Sequence, residues 1–253
     1  MTLLLLSGTS EARRLAERLA AAKVPAWASL AGATRTPAPL PIPTRQGGFG
    51  GDEGFARFVT SHGIGAVIDA THPFAARITA RTHRICSELG IPLLRLERPG
   101  WQPGPADRWT FVADESEAKR RLPPEAVVFL ATGRQSLPAW SGLAVRRVHL
   151  RVIDPPAGPF PFPGGFVQAR APFDLASEID QFRRLGVTHL VAKDSGAGDA
   201  RPKLDAARAL GLEVMLLRRP PVPPGLHVVP TVDEALAWID RLPFCSGASI
   251  SGA

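Results

Sequence analysis

Thr2-Leu-Leu-Leu-Leu-Ser-Gly8-Thr-Ser-Glu-Ala-Arg13 is the stretch that decides the fold. Four consecutive leucines bounded by a turn of small residues read as a strand buried on both faces, the pattern of a parallel sheet. Gly8-Thr9-Ser10 then opens a helix predicted over Glu11–Ala22. The free backbone N–H groups and positive dipole end of such a helix suit a phosphate. The turn departs from Gly-x-Gly-x-x-Gly, because Ser10 stands where the second glycine would be and Arg13 where the third would be. By itself it is also compatible with an ordinary strand-to-helix junction.

Working outward, the first half alternates strands and helices. Strands are predicted at Thr2–Ser7, Ala26–Leu30, Ala66–Ala70, Leu93–Leu96 and Trp109–Val112, and helices at Glu11–Ala22, Asp52–His62, Pro73–Leu89 and Glu115–Arg121. The second half repeats the pattern, with strands at Val127–Ala131, Val145–Ile153, His189–Ala192, Val214–Leu217 and His227–Val229 and helices at Leu175–Leu185, Lys203–Leu210 and Val232–Arg241. Gly63, Gly90, Gly186 and Gly211 stand where a helix ends in a left-handed cap. The alternation predicts βαβ units and so an α/β fold of two Rossmann-like domains, with mostly parallel sheets and an interdomain cleft. Pro123-Pro124 marks the expected boundary between a dinucleotide-binding domain over 1–123 and a second α/β domain over 124–245, with a frayed tail at 246–253. Three proline-rich stretches, Thr36–Thr44, Asp154–Gly165 and Pro220–Gly225, read as extended surface loops.

Composition narrows the function classes. The chain has 253 residues, a net charge of +7 and two cysteines, Cys86 and Cys245. So few cysteines supply neither a disulfide framework nor a metal-ligand spacing, and no metal is expected. No apolar run reaches the ~20 residues of a membrane span, and the N-terminus enters a strand with no basic leader, so a cytoplasmic location is expected. Arginine far exceeds the four lysines. Arginine forks match carboxylates and phosphates, although GC-rich coding bias explains the same surplus. The basic residues are scattered without an aromatic-interleaved stripe, which argues against nucleic acid. Hydrolase, kinase and zinc-protease signatures (Gly-x-Ser-x-Gly, a Walker lysine, His-Glu-x-x-His) are all missing.

The candidate site residues lie at strand ends. Gly8, Thr9 and Ser10 form the phosphate turn. The second strand of a dinucleotide fold ends beside the adenosine ribose, where an acid selects NAD. No acid occurs between Val24 and Arg45, whereas Arg35 can pair with a 2′-phosphate and Ser29 can help, so NADP(H) is favoured. Gly47-Gly-Phe-Gly-Gly51 lets backbone approach a ligand through Gly48 and Gly50, with Phe49 available to stack on a flat ring. Asp69-Ala-Thr-His72-Pro-Phe-Ala-Ala-Arg77 lies at a strand-to-helix junction, with Pro73 expected at the first helical position and Thr71 or His72 as its cap. His72 is the candidate for proton supply or donor contact. In the second half, Arg134 and Gln135 follow one strand, and Lys193, Ser195 and Lys203 sit on a Ser/Gly loop suited to anions.

These residues resemble the precorrin-6A reductase family of cobalamin biosynthesis over about residues 2–242. The resemblance is carried by Ser7-Gly-Thr-Ser-Glu-Ala-Arg13, Ser29-Leu-Ala-Gly32, Gly47-Gly-Phe-Gly-Gly51, Asp69-Ala-Thr-His-Pro-Phe-Ala-Ala76, Arg95-Leu-Glu-Arg-Pro99, Thr132-Gly-Arg-Gln135 and Lys193-Asp-Ser-Gly196. Two departures stand out: the family's first turn is usually Gly-Thr-Gly-Glu-Ala, and its Lys-Asn-Ser-Gly loop carries Asp194 here. The resemblance implies NADPH-dependent reduction of one carbon–carbon double bond of precorrin-6A to give precorrin-6B. The expected NADPH site is then Gly8, Thr9, Ser10, Ser29 and Arg35, with Gly48, Phe49 and Gly50 and the Thr71–Pro73 stretch, Thr71 and Pro73 included, bordering the nicotinamide. Arg134, Gln135, Lys193, Ser195 and Lys203 would then face the polycarboxylate macrocycle, and the product would be handed to neighbouring pathway enzymes. The alternatives are an NADP-dependent reductase of another polycarboxylate and a non-catalytic dinucleotide- or tetrapyrrole-binding module.

Overall fold

The computed structural model describes residues 1–32 and 38–243. Two compact units emerge: Met1–Pro99 joined by the segment from Pro220 onward, and Gly100–Arg219. The first contains β1 (Thr2–Ser7), α1 (Ser10–Ala21), β2 (Ala26–Leu30), β3 (Thr44–Gln46), α2 (Gly51–Ser61), β4 (Ile64–Ala70), α3 (Ala76–Glu88) and β5 (Leu93–Leu96). The second contains β6 (Trp109–Val112), α4 (Glu115–Arg121), β7 (Val127–Ala131), β8 (Arg147–Val152), β9 (Gly164–Gln168), α5 (Leu175–Leu185), β10 (His189–Lys193), α6 (Pro202–Ala209) and β11 (Glu213–Leu217). The chain then returns to the first unit with β12 (His227–Val229) and α7 (Val232–Ile239).

The leucine run behaves as its sequence demands. β1 is central, paired in parallel with β2 on one side and β4 on the other. Leu3 and Leu5 pack with α1 and α7 through Leu15, Leu19 and Leu236, whereas Leu4 and Leu6 pack with Phe55, Val59 and Ile85 of α2 and α3. Period-two alternation thus sends adjacent leucines to opposite faces, each covered by helices. Thr9, Asp114, Asp174 and Thr231 cap α1, α4, α5 and α7 by accepting backbone N–H groups. All four predicted cap glycines are left-handed, at φ 58° for Gly63 and 65° for Gly90, Gly186 and Gly211.

Both sheets are wholly parallel and share one plan. Their orders are β12-β5-β4-β1-β2-β3 and β6-β11-β10-β7-β8-β9. In each, the strand direction of travel reverses about its first inner strand, β1 or β7. The sixth position is filled unexpectedly. β6, read with the first half, pairs with β11, and β12, read with the second half, pairs with β5. The units therefore break after Pro99 and Arg219, which corrects the expected 1–123 and 124–245 division. Short apolar strands carry no local signal of which sheet they will edge, and the Pro123-Pro124 pair only precedes β7.

β3 and β9 were not expected as strands. β9 begins inside the predicted Asp154–Gly165 loop, at Gly164, where φ is 133° and an added Cβ would stand 1.9 Å from the Val148 carbonyl oxygen. α3 starts at Ala76 without a side-chain cap, so Pro73 is not its first residue and neither Thr71 nor His72 caps it. Arg35 and the tail at 246–253 lie outside the described residues. Among the described residues no helix is long and apolar enough to cross a membrane, and no group of His, Cys, Asp and Glu could hold a metal ion.

Candidate functional site

In the first unit, β1 leads through α1 to β2 on one side, while α2 brings the chain back to β4 on the other. The reversal leaves a crevice at the carboxyl ends of β1 and β4, the place where open α/β sheets bind ligands. The Gly8–Thr9–Ser10 turn sits there. A Cβ on Gly8 would come within 3.7 Å of the Thr71 Cα and the His72 nitrogen, so the two predicted loops are neighbours. Thr9 Oγ1 donates to the Ala70 carbonyl at 2.9 Å and accepts the Ala12 N–H at 3.2 Å, pinning the helix start to the end of β4. Gly8 and Ser10 remain exposed. Glu11, buried in the first turn, is matched by Arg98 and by Arg14 at 3.0 Å. Burial is the largest single influence and raises its carboxyl pKa, but the Arg98 and Arg14 charges together with hydrogen bonds from the backbone and Arg98 outweigh it, and the net shift is downward.

Beside the turn lies an ionic network that the sequence reading did not single out. Asp69, on β4, accepts the Thr71 N–H and hydroxyl at 3.0 and 2.7 Å and the Thr79 hydroxyl at 2.6 Å. Arg95, on β5, lies 2.8 Å from Asp69 and donates through Nε and Nη2 to Glu97 at 3.0 and 2.8 Å. Asp69 and Arg95 are fully buried. A charge in a strand predicted to be buried is itself a signal, because it requires a partner. Thr71 also accepts from Arg95 at 3.0 Å, so its role here is to brace the network. His72 Nδ1 accepts the Phe74 N–H at 3.2 Å. Pro73 lines a cavity of about 190 Å³ with Arg95, Glu97, Ala76, Ala80 and the Pro220–Pro223 segment.

On the far side of β1, Ser29 is buried at the end of β2, opposite Arg45 in register. Arg45 Nη1 donates to the Ser29 hydroxyl and the Gly47 carbonyl, both at 2.9 Å, and Nη2 donates to Gly48 at 2.9 Å. Its guanidinium lies 4.0 Å from the Phe49 ring centroid. Phe49 in turn meets Phe55 and Phe58 edge-on at 5.0 and 5.2 Å. The ring expected to stack on a ligand is therefore packed within the protein, because Phe55 and Phe58 of the next helix offer it an apolar seat. Gly48 and Gly50 stay exposed. Arg45 was missed because only strand register brings it to Ser29.

The second unit repeats the reversal between β7 and β10, whose ends pair Ala192 with Ala131. Arg134, half-buried, and Gln135, exposed, open a 3₁₀ turn after β7. Ser136 fixes that turn through Thr132 at 2.6 Å and the Gly133 carbonyl at 2.8 Å. Lys193 ends β10 half-buried, and burial lowers its amine pKa against the opposing pull of Glu115. Ser195 is buried and accepts the Ala197 N–H at 3.4 Å. Asp194 accepts the Trp101 N–H at 2.9 Å and lies 3.7 Å from Arg219, so its charge is compensated internally. Lys203 corrects the prediction. It lies inside α6 and not on an exposed loop, buried, with its ammonium on the Ala200 carbonyl and 4.7 Å from the Trp101 ring. Desolvation won over the expected exposure because the Trp101 ring covers the side chain.

The family described as Precorrin-6x reductase CbiJ/CobK matches residues 2–240. The chain is 44% identical over 243 residues to the precorrin-6A reductase of Rhodococcus erythropolis, covering 95% of this chain and 98% of that one. It is 43% identical over 239 residues to the precorrin-6A reductase of Rhodobacter capsulatus, covering 94% and 95%. A solved structure titled CobK precorrin-6A reductase superposes with a TM-score of 0.91 at 42% identity, covering all of both chains. With matching sequence and matching fold along its whole length, the chain belongs to the precorrin-6x reductase family, oxidoreductases of cobalamin biosynthesis.

Proposed function

We propose that the chain reduces one carbon–carbon double bond of precorrin-6A with NADPH, giving precorrin-6B. The observation that carries this reading is the Gly8–Thr9–Ser10 turn, set at the β1–β4 reversal on the N-terminus of a 12-residue helix. Its residues suit a pyrophosphate: Gly8 and Ser10 are small and exposed, and Glu11 is neutralised by Arg98 and Arg14. Ser29 and Arg35 are assigned to the 2′-phosphate, in keeping with the absence of an acid between Val24 and Arg45. Gly48 and Gly50 offer exposed backbone to the same carrier.

When bound, NADPH supplies the hydride. The protein's task is mainly to position two large ligands. Thr71, bonded to Asp69 and Arg95, braces the loop that lies beside Gly8, and Pro73 follows in the same loop. His72, whose Nδ1 accepts the Phe74 N–H, is assigned to proton supply or donor contact beside the turn. Arg134, Gln135, Lys193 and Ser195 are assigned to the substrate's carboxylates. The proposal carries with it a cytoplasmic setting and hand-over of product to a neighbouring pathway enzyme.

The test is anaerobic mixing of protein, NADPH and precorrin-6A, following loss of NADPH absorbance and the product's mass. Substrate-dependent oxidation with gain of two hydrogens is expected; equal oxidation with and without substrate overturns the reading. Arg35→Ala should erode the preference for NADPH over NADH, and an unchanged preference removes Arg35 from the site.

A further inference from the structure

Arg45 makes three hydrogen bonds and has no counter-charge. Its Nη1 donates to the Ser29 hydroxyl and to the Gly47 carbonyl, and its Nη2 to the Gly48 carbonyl, each at 2.9 Å. The guanidinium lies over the Phe49 ring. Among the described residues no carboxylate pairs with it: burial pushes its pKa down and no neighbouring acid opposes the shift. A guanidinium fixed in this way biases its surroundings toward an anion.

Those three bonds decide which donors are left over. Arginine only donates, so the Ser29 oxygen is here an acceptor and its own O–H needs another partner. Ser29 is buried, and among the described residues its O–H has no acceptor. Such a hydroxyl is unfavourable unless a ligand completes it. Accepting from a cation also strengthens it as a donor. The same logic governs the glycine loop. Its peptides are trans, so a carbonyl turned toward Arg45 turns the N–H of the next residue away from it. The N–H groups of Gly48 and Phe49 therefore face away from Arg45, and neither has an acceptor among the described residues. Successive backbone N–H groups presented together cradle an anion.

The second strand of a dinucleotide fold ends beside the adenosine ribose. β3, which carries Arg45, is the edge strand next to β2. We infer that Arg45 is a positioning residue for the carrier's 2′-phosphate: it turns the Ser29 hydroxyl and the Gly48 and Phe49 N–H groups toward that phosphate without binding it itself. The inference rests on the reading that the carrier is NADPH. It assigns the glycine loop to the adenosine end of the carrier and not to the reacting ring. Selection of NADPH over NADH then depends on an arginine that never touches the group it selects.

Equilibrium titration with NADPH and NADH tests it without turnover, because the two carriers share a pyrophosphate and differ only in the 2′-phosphate. Ser29→Ala should weaken NADPH by about tenfold, the scale of one hydrogen bond to a charged group, and leave NADH unchanged. Arg45→Met keeps an apolar stem on Phe49 and should weaken NADPH at least as much, again with NADH unchanged. Adding Ser29→Ala to Arg45→Met should cost clearly less than Ser29→Ala alone, because the hydroxyl is no longer aimed. Arg45→Lys keeps the charge without the planar fork and should lose the preference as methionine does. A preference retained in Arg45→Met, full additivity in the double variant, or a preference retained in Arg45→Lys overturns the inference. So does an equal loss of NADH in Arg45→Met, which would make Arg45 a general brace of the site. If unmodified protein binds both carriers equally, the 2′-phosphate reading fails, and if it binds neither, the carrier reading fails; either result removes the inference as well.

Discussion

Lys203 sits under Trp101 in the second unit, and burial pushes its amine down to about 7, with the Arg151 charge adding to the effect and Glu178 and Asp199 opposing it. In the unfolded chain the amine titrates near its ordinary value of about 10.4. Between those two pH values the unfolded state binds the extra proton, so stability rises with pH across that window and is flat in this term below it. Lys203→Met should remove the slope: the variant gains on the parent below pH ~7, and the gap narrows as pH climbs toward ~10. Urea denaturation across that range reads it, and parallel profiles would contradict the buried amine. Arg95 makes the opposite case, a permanent charge between two carboxylates. Arg95→Met strands buried Asp69 beside Glu97 and should cost about 3–5 kcal/mol, measured by denaturant unfolding.

At the scale of elements, the Gly47–Gly51 loop is held by its neighbours and not by its glycines. Arg45 bonds its carbonyls, Phe49 anchors it among Phe55 and Phe58, and Gly54 lets it close. A Cβ at Gly54 would fall 1.7 Å from the Phe49 carbonyl oxygen. Gly54→Ala should therefore displace the loop and cost about 1–3 kcal/mol, the usual scale of overpacking; a variant as stable as the parent would show the loop to be loosely held. These contacts also mark where sequence reading stops. β1, the glycine caps and the Gly8 turn were legible because each depends on residues close in sequence: four leucines, a run of small residues, glycines just past helix ends; the cap expected at Thr71 or His72 was not, since α3 starts only at Ala76. Arg45 on Ser29 and Asp69 on Arg95 depend on strand register, which local pattern does not state. Lys203 was read as an anion ligand since a sequence shows its charge but not the indole lying over it.

At the scale of the molecule, the first unit owes its core to both ends of the chain. Ala235, Leu236 and Ile239 of α7 pack into the cluster that contains Leu3 and Leu5. Leu236→Ala should cost about 2–5 kcal/mol, and the loss should appear as faster amide exchange in β1, β2 and β4 with β7, β10 and β11 unaffected. Uniform loss across both units would mean that they unfold as one. The parallel alternation of strands and helices was legible apart from β3 and β9; the membership of β6 and β12 was not, since an edge strand of three or four residues matches either sheet.

That crossing of edges has a consequence for synthesis. As the nascent chain leaves the ribosome, β5 emerges without its outer neighbour, and all of Gly100–Arg219 must follow before β12 appears. At about 5–20 residues per second this is a wait of many seconds. The later unit receives β6 before its own inner strands and is the first that can close. Until then the β5 edge stands open to foreign strands, which makes it the point at which a slowed or truncated translation product should be captured by chaperones or begin to aggregate.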